Sequence, residues 1–407
     1  LTLLSMSPLA AAPAPRLGHA VDPTDQAVTL RLDPERKDYS GSVRIALAVH
    51  QRTSALRLHA AMPLASLHIS GATGAVGATH KQQGQEVVVS LAQPLEPGAY
   101  TLTADFRQAF GTKAVGLYRV VQDGRGYAFT QFEPADARLA FPCFDEPDFK
   151  IPYQLTLEIP PGMEAVSNTP IEREALRGGL RALTFKKTRP LPSYLLAIAV
   201  GPLEFAPIPG LSVPGRVVTP RGQRHLAARA VAITPKVLQA MESYFGTPYP
   251  YEKLDLIAVP EYWPGAMENP GAITYRDHFL LHDAKTETPE QHQTLVTITA
   301  HELAHMWFGD LVTMRWWDDL WLNESFAEWM GTKIASQVAP QYHLDVAAAQ
   351  EAQDIMQTDA RPTTEAIRQA TTDPDEALRR VGLHYRKGQA VLGMFERWLG
   401  PARVRGG

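Results

Sequence analysis

The chain has 407 residues, of which 45% are apolar and 20% charged, a composition typical of a soluble globular protein with two or three domains. Its 39 basic and 43 acidic side chains give a formal net charge of -4, which argues against a nucleic-acid partner. No apolar run is long enough to span a bilayer, so we predict no transmembrane segment. Cys143 is the only cysteine, which excludes an intrachain disulfide, and we expect its thiol to be a buried apolar group.

The N-terminal residues LTLLSMSPLAAAPAP resemble the apolar core and small-residue cleavage region of a secretory signal. This pattern favours export to a periplasmic or extracellular location. A disordered Ala/Pro tail on a cytoplasmic protein is the alternative. Residues 1–21 are therefore interpreted as a signal remnant or tail.

Residues 22–205 are predicted to form a β-rich domain. Apolar and polar side chains alternate in short segments bounded by Gly, Pro or Asp clusters, a pattern that predicts strands. These segments are residues 28–32, 42–49, 66–70, 86–91, 100–106 and 153–159, with a further strand and its turn within 177–190. Short strands at this spacing indicate a saddle or sandwich.

Residues 206–407 are predicted to form a mostly helical domain, because the apolar period changes after about residue 230. The predicted helices are residues 237–246, 289–311, 323–338 and 375–400. A strand-like run, 253–262, leads into the Gly- and Pro-containing stretch EYWPGAMENPGAITY. The fold class is thus predicted to be α+β and multidomain.

The predicted helix 289–311 contains the motif His301-Glu302-Leu-Ala-His305. Residues four apart lie one helical turn apart on the same face, so both imidazoles can reach one metal ion. Glu302 can hold the metal's water without being a ligand itself. A second His pair, His278 and His282, lies in a stretch predicted to be extended and lacks such a glutamate, so we interpret it as structural or at the surface.

The third ligand is expected from the following helix. Glu324 is favoured, with 18 residues between it and His305. Glu328, one turn further, is the competing choice. It could also orient a ligand imidazole, as could Asp319 or Asn323. Two histidines and one glutamate leave a position for water, whose pKa falls to roughly 7 on zinc, so that Glu302 can act as general base.

These motifs resemble the aminopeptidase N family of zinc metallopeptidases, the gluzincins with HExxH, 18 residues, and then Glu. The stretch GAMEN, the segment TQFEPADARLAFPCFDEPDFK and the segment HYRKGQAVLGMFERWLG carry the resemblance over most of residues 100–400. It implies a β-rich N-terminal domain and a thermolysin-like catalytic domain. It also implies one zinc ion per chain and peptide substrates with a free N-terminus.

The resemblance also implies roles for individual residues. His301, His305 and Glu324 match the zinc ligands, Glu302 the general base, and Tyr385 the tyrosine that donates to the tetrahedral intermediate. The matches to substrate-binding residues are Gln131, Glu133, Gly265, Ala266, Met267, Glu268 and Asn269. Within this set, Glu133 and Glu268 match the carboxylates that grip the α-amino group, Gln131 shapes the first specificity pocket, and Gly265 and Ala266 pair with the substrate backbone.

Two features depart from the family pattern. Ser325 stands where a glycine is more usual, and the chain stops soon after the Tyr385 helix, where the family continues with further helices. We therefore expect a catalytic domain that is incomplete at its C-terminus. Two alternatives stay open: a catalytically silent relative that binds peptides, and an epoxide hydrolase with aminopeptidase activity like leukotriene hydrolase. The sequence does not settle the oligomeric state.

Overall fold

A computed structural model describes residues 16–379 and 381–406 of the chain. The signal-like residues 1–15 lie outside the described residues, so export stays a prediction. Within the described residues, the strands in chain order are β1 (Val21–Arg31), β2 (Asp38–Val49), β3 (Thr53–His59), β4 (Leu64–Gly71), β5 (Gly74–Val76), β6 (Ala78–Gln83), β7 (Glu86–Leu95), β8 (Gly98–Ala109), β9 (Gly116–Gln122), β10 (Arg125–Gln131), β11 (Tyr153–Ile159), β12 (Glu164–Ser167), β13 (Ile171–Arg177), β14 (Leu180–Phe185), β15 (Ile198–Gly201), β16 (Leu203–Pro207), β17 (Gly215–Pro220), β18 (Leu254–Val259), β19 (Ala266–Met267) and β20 (Ala272–Arg276). The α-helices are α1 (Ala228–Phe245), α2 (Asp277–Leu280), α3 (Pro289–His305), α4 (Leu320–Val338), α5 (Leu344–Asp359), α6 (Pro374–Arg379), α7 (Val381–Leu399) and α8 (Pro401–Gly406).

The N-terminal part is built from three sheets, as the alternating pattern predicts. One sheet has the strand order β13-β14-β11-β1-β2-β8-β4-β5, a second has β3-β7-β6, and a third has β12-β15-β10-β9. Five of the six predicted strands fall within strands of the structure, and the sixth, 28–32, runs one residue past the end of β1. The segment 177–190 contains the turn between β13 and β14 together with β14. The predicted β-rich N-terminal part and the α+β fold class are confirmed.

The C-terminal part places a five-stranded sheet, with the order β16-β17-β18-β20-β19, beside the helices. Strand β19 is at the edge of this sheet and pairs only with β20 among the described strands. Thr288 caps the start of helix α3: its side chain accepts from Gln291 N, and the Gln291 side chain accepts from Thr288 N. Pro289 fits the first turn, where its missing N–H costs no helical hydrogen bond.

Several predicted helix bounds are wrong. Helix α3 ends at His305 instead of continuing to residue 311, because the chain turns at Gly309, whose φ is +133°. Helix α1 begins at Ala228, nine residues before the predicted start, and the predicted helix 375–400 corresponds to α6 and α7. Helix α5 was not predicted; of its residues only Leu344 is buried, so its apolar signal is weak.

The two parts share an apolar core, which fixes the N-terminal strands against the segment that leads into helix α4. Trp317, just before α4, is 1% exposed and packs edge-on against Tyr194 at a ring-centroid distance of 5.2 Å. Lys150 Nζ donates to Asp310 O at 2.7 Å and to Leu311 O at 2.8 Å, beyond the end of α3.

The cysteine and the helix lengths bear on two further expectations from the sequence. Cys143 is fully buried, as expected, and burial raises the pKa of its thiol well above the ordinary value. Across the described residues we find no helix with the length and apolar content needed to cross a membrane.

Candidate active site

The ends of two helices bring three donor atoms together. His301 and His305 occupy the last turns of α3, and Glu324 lies in the first turns of α4. His301 Nε2 lies 3.0 Å from His305 Nε2, and Glu324 Oε2 lies 3.3 Å from His301 Nε2 and 3.6 Å from His305 Nε2. The motif spacing therefore brings the three side chains into one cluster, in which His305 and Glu324 are buried and His301 is half-buried.

The opposite nitrogens of the two imidazoles are held by partners that accept hydrogen bonds. His301 Nδ1 lies 3.0 Å from Glu328 Oε2, and His305 Nδ1 lies 2.8 Å from Asn323 Oδ1. In the neutral form of each ring, Nδ1 therefore carries the proton and Nε2 presents a lone pair to the cluster. Glu328 thus touches the far side of a ring and is not among the converging atoms.

These residues fit a metal ion. Two imidazole lone pairs that face each other at 3.0 Å repel unless a cation or a proton lies between them. Apart from these two imidazole nitrogens, the buried Glu324 Oε2 has no hydrogen-bond partner among the described atoms. A tetrahedral ion with bonds of about 2.0 Å has ligand-to-ligand edges of about 3.3 Å, which matches the three distances.

Protons compete for the same atoms when no metal is bound. Burial lowers the pKa of His301, but its hydrogen bonds to Glu324 and Glu328 outweigh burial and raise that pKa to about 10. Burial opposes ionisation of Glu324 as well, and its contacts with His301 and His305 nevertheless hold its pKa well below the usual range. Metal binding must therefore displace protons from this cluster.

Glu302 lies beside the cluster, and its pKa is raised to about 8 by burial, against the lowering effect of the two histidines. Its side chain lines the cavity described below, and its Oε2 has no hydrogen-bond partner among the described atoms. A buried carboxyl with a pKa near neutrality and a free oxygen is suited to accept a proton and to release it again.

A second carboxylate cluster adjoins the first. Glu133, Glu268 and Glu324 each place an oxygen within 4.8 Å of the others. Burial and the nearby negative charges of Glu268 and Glu324 raise the pKa of Glu133 well above its ordinary value. Glu133 Oε1 is buried without a hydrogen-bond partner among the described atoms. Crowded buried carboxylates with a spare oxygen attract a cation such as an ammonium group.

The GAMEN residues form the free edge of the five-stranded sheet. Ala266 pairs with Tyr275 and Met267 with Thr274, and Arg276 N donates to Gly265 O at 3.0 Å. Gly265 and Ala266 line the cavity. An edge strand beside a cavity can pair with an extended peptide.

Met267 and Asn269, two further GAMEN residues with predicted substrate roles, are buried under this edge. Met267 is 2% exposed, and its Sδ lies 3.5 Å from Gln131 Nε2. Asn269 is also 2% exposed, and its Nδ2 donates to Thr274 Oγ1 at 3.3 Å. Met267, Glu268 and Asn269 are all outside the cavity lining. Glu268 meets the carboxylates of Glu133 and Glu324, whereas Met267 and Asn269 contact Gln131 and Thr274 and so support the loop.

Gln131 and Tyr385 approach the cluster from opposite parts of the chain. Gln131 ends β10 and accepts a hydrogen bond from the Tyr262 hydroxyl. The Tyr385 ring, on α7, lies 5.4 Å from the His301 ring, and its hydroxyl lies beside Glu324. Burial and the negative charge of Glu324 raise the pKa of Tyr385 well above its ordinary value, so it remains a hydrogen-bond donor.

These elements enclose a cavity of about 550 Å³. Its lining includes side chains from the N-terminal strands, the edge strand, α3, α4 and α7. Gln131 and Glu133 come from the N-terminal part, while Glu302, Glu324 and Tyr385 come from the helical part. The site therefore depends on how the two parts of the chain pack together.

The second histidine pair takes no part in this site. The stretch 272–282 is predicted to be extended, which holds for β20 (Ala272–Arg276). The prediction is wrong beyond it, because Asp277–Leu280 forms the short helix α2, closed by Leu281 N donating to Asp277 O at 2.8 Å. His282 is buried, with Nδ1 at 3.0 Å from Glu287 Oε1 and Nε2 at 3.0 Å from His278 O. His282 is thus structural and His278 lies at the surface, as interpreted from the sequence.

Three contributors were not found from the sequence. Tyr262 orients the Gln131 amide, Gly309 leaves room beside His305, and Gly388 leaves room beside Ser325, whose hydroxyl donates to His384 O at 2.6 Å. Tyr262 and Gly309 stand next to recognised motifs, which is the one signal that could have drawn attention to them. Their partners lie far away in the sequence or on another helix, so spacing alone could not assign them.

A helix pair that joins two imidazoles, one glutamate and a neighbouring buried glutamate is the arrangement of the HExxH metal-dependent peptidases. The model described as "Peptidase M1 N-terminal domain" matches residues 22–195, and the model described as "Peptidase family M1 domain" matches residues 229–407. The chain belongs to peptidase family M1, as the sequence resemblance implied. This family implies a metal ion.

Similar proteins include enzymes from plants and animals. "Aminopeptidase M1-B" of Oryza sativa subsp. japonica is 34% identical over 404 residues, which cover 96% of this chain and 46% of that protein. "Aminopeptidase M1" of Arabidopsis thaliana is 35% identical over 329 residues, covering 78% and 37%. "Glutamyl aminopeptidase" of Bos taurus is 35% identical over 408 residues, covering 94% and 42%. The chain thus spans less than half the length of each of these relatives.

Proposed function

We propose that the chain is a zinc-dependent aminopeptidase that hydrolyses the first peptide bond of peptides with a free N-terminus. The observation that carries the proposal is the position of the Glu133, Glu268 and Glu324 carboxylates, within 4.8 Å of one another and next to the two converging imidazoles. An ammonium group held there would place the adjacent peptide carbonyl beside the metal ligands. The names of the similar aminopeptidases support the same activity.

His301, His305 and Glu324 would hold the zinc ion. Two imidazole nitrogens and one carboxylate oxygen form a ligand set that zinc favours at hydrolytic sites. When bound, zinc would polarise the scissile carbonyl and lower the pKa of a bound water to about 7. Glu328 and Asn323 would keep each imidazole in the tautomer that presents Nε2 to the ion.

Glu302 would move the proton. Its buried carboxylate takes a proton from the attacking water and then transfers it to the nitrogen of the leaving amine. Burial raises the pKa of Glu302 to about 8, and the positive charge of the ion would act in the opposite direction. Glu302 therefore has access to both protonation states during a turnover.

Tyr385 would stabilise the negative charge that develops on the carbonyl oxygen. Its high pKa keeps the hydroxyl protonated, and its ring is fixed against His301. A donor that is already in place before the reaction needs no reorganisation as charge develops. The hydrogen bond from the Ser325 hydroxyl to His384 O holds α7, which carries Tyr385, against α4.

The free N-terminus would be recognised by Glu133 and Glu268. An internal amide carries no positive charge, so carboxylates at this position favour the terminal ammonium group. The Gly265–Ala266 edge would pair with the substrate backbone in an extended conformation. Because the amine site adjoins the metal site, one residue would be removed at a time.

The test is Glu302→Gln, measured as hydrolysis of leucine p-nitroanilide at equal zinc content. We expect turnover to fall by at least about 10²-fold, the lower end of a general-base contribution, while bound zinc stays the same. Glu290→Gln is the matched control, because Glu290 is an exposed glutamate in the first turn of the same helix. Turnover by Glu302→Gln equal to that of Glu290→Gln would refute the mechanism.

A further inference from the structure

Asn323 is a buried side chain with two contacts that point to different parts of the site. Its Oδ1 lies 2.8 Å from His305 Nδ1, and its Nδ2 donates to Glu268 Oε1 at 3.0 Å. Asn323 and Glu268 are each 3% exposed, and His305 is 1% exposed. One amide thus connects a residue of the metal cluster with a residue of the carboxylate cluster.

The two ends of this amide are not interchangeable. The carbonyl end accepts from His305 and thereby leaves the His305 Nε2 lone pair facing the metal cluster. The NH₂ end donates to Glu268 and thereby fixes the rotamer of a carboxylate that accepts hydrogen bonds. An amide can serve both neighbours at once, whereas a carboxylate or an apolar group cannot.

The backbone next to the site makes room for this amide. Gly309 has a φ of +133°, and a Cβ built there would overlap Asn323 Oδ1 and lie 3.1 Å from His305 Nδ1. A side chain at residue 309 would therefore displace the amide from both partners. The glycine that ends the α3 turn is thus part of the same arrangement.

We propose that Asn323 is a positioning residue that sets the distance between the metal ligand His305 and the amine-binding carboxylate Glu268. The proposal rests on the proposed function, which assigns those two roles. In an aminopeptidase, the span from the amine site to the metal equals one residue of substrate. A rigid link between the two sites keeps the first peptide bond at the metal and so determines which bond is cut.

Two nearly isosteric substitutions of Asn323 distinguish its contact with His305 from its contact with Glu268. Asn323→Asp keeps an acceptor for His305 Nδ1 but removes the donor to Glu268 and adds a like charge beside it. Asn323→Leu removes both contacts at similar volume. If the amide acts as proposed, the first variant impairs only amine binding, and the second impairs both metal and amine binding.

The probes are Zn²⁺ alone and L-leucinol, a free amine without a peptide bond, so that neither measurement depends on turnover. Chelator competition gives the Kd of Zn²⁺, and titration of the zinc-loaded chain gives the Kd of leucinol. For Asn323→Leu we expect the Kd of Zn²⁺ to rise about 10- to 100-fold, as for other changes beside a metal ligand. For Asn323→Asp we expect the Kd of Zn²⁺ to change less than about 3-fold and the Kd of leucinol to rise about 10-fold or more.

The KM of leucine p-nitroanilide should follow the leucinol Kd in both variants. Gly309→Ala should resemble Asn323→Leu, because the added methyl group pushes the amide away. Gly74→Ala is the control for backbone strain: Gly74 has a φ of +112°, and a Cβ there meets nothing within 4 Å. This control should leave both Kd values unchanged.

Each outcome decides a separate claim. Asn323→Asp with an unchanged leucinol Kd, or with zinc loss equal to that of Asn323→Leu, would overturn the proposed link while leaving the peptidase assignment intact. Leucinol binding and zinc binding that change as expected would support the link even if the chain hydrolysed no peptide. A wild-type chain that binds zinc but neither leucinol nor the anilide would refute the proposed function and the link together.

Discussion

Glu268→Gln is the substitution that separates recognition of the substrate amine from the chemistry at the metal. Glu268 is buried, and its carboxylate lies within 4.8 Å of those of Glu133 and Glu324. Glutamine keeps the shape and can still accept from Asn323 Nδ2, which donates to Glu268 Oε1 at 3.0 Å. The substitution therefore removes one negative charge and little else.

The magnitude follows from the charge that is lost. Two unit charges about 4 Å apart attract by about 4 kcal/mol at an effective dielectric of 20. Glu133 stays in place and keeps part of the attraction, and hydrogen bonds to charged groups contribute about 1.5–3 kcal/mol. We therefore expect kcat/KM for leucine p-nitroanilide to fall about 10- to 150-fold, mostly through KM.

The assay compares substrates with free and acetylated N-termini at equal zinc content. In Glu268→Gln, kcat/KM for the free-amine substrate should fall toward the value for the acetylated substrate. The slow cleavage of the acetylated substrate should not change. Glu261→Gln is the control, because Glu261 is an exposed glutamate seven residues earlier, in the loop between β18 and β19. An unchanged preference for the free amine in Glu268→Gln would show that this carboxylate does not bind the amine.

Two further predictions concern the packing of the site and its pH dependence. Gly388→Ala places a methyl group where the Ser325 side chain lies, so we expect kcat to fall at least about 10-fold as the Tyr385 helix shifts. Adding Ser325→Gly should restore kcat, and failure to restore it would contradict this reasoning. Burial, with the charges of Asp145 and Asp375, raises the pKa of Asp136 to about 7, so the folded chain keeps a proton that the unfolded chain releases above about pH 4. That retained proton stabilises the folded chain at low pH, and its contribution is lost as pH rises through 7. Asp136→Asn should therefore raise the free energy of unfolding by about 2–4 kcal/mol at pH 8 and by almost nothing at pH 4. An equal gain at both pH values would refute the assignment.

The parts of the fold that local patterns encode could be predicted from the sequence. Strands β2, β8 and β11 alternate buried side chains with half-buried or exposed ones over part of their length, and helix α3 carries a Thr288 cap with Pro289 in its first turn. Strand β10 is not predicted from the sequence, because its last six residues are all buried and its side chains do not alternate between buried and exposed. The end of α3 was placed too late because apolar residues continue past His305 although the backbone turns at Gly309.

The metal cluster was predictable because its geometry is local. Four residues of helix place His301 and His305 on one face, and a single following helix brings Glu324 to them. The carboxylate cluster is different, since Glu133 and Glu268 come from distant segments that meet only when the two parts of the chain pack. The family resemblance pointed to these two residues, whereas nothing in the spacing pointed to the contact between Asn323 and Glu268.

The most direct test of the central claim is to incubate the zinc-loaded chain with a peptide and to follow its products over time by mass spectrometry. The account predicts one zinc ion per chain and stepwise release of single residues from a free N-terminus, with much slower cleavage after acetylation. Internal cleavage of the peptide, or equal cleavage of the free and acetylated forms, would contradict the assignment of the carboxylate cluster. A chain that binds no zinc would contradict the assignment of His301, His305 and Glu324.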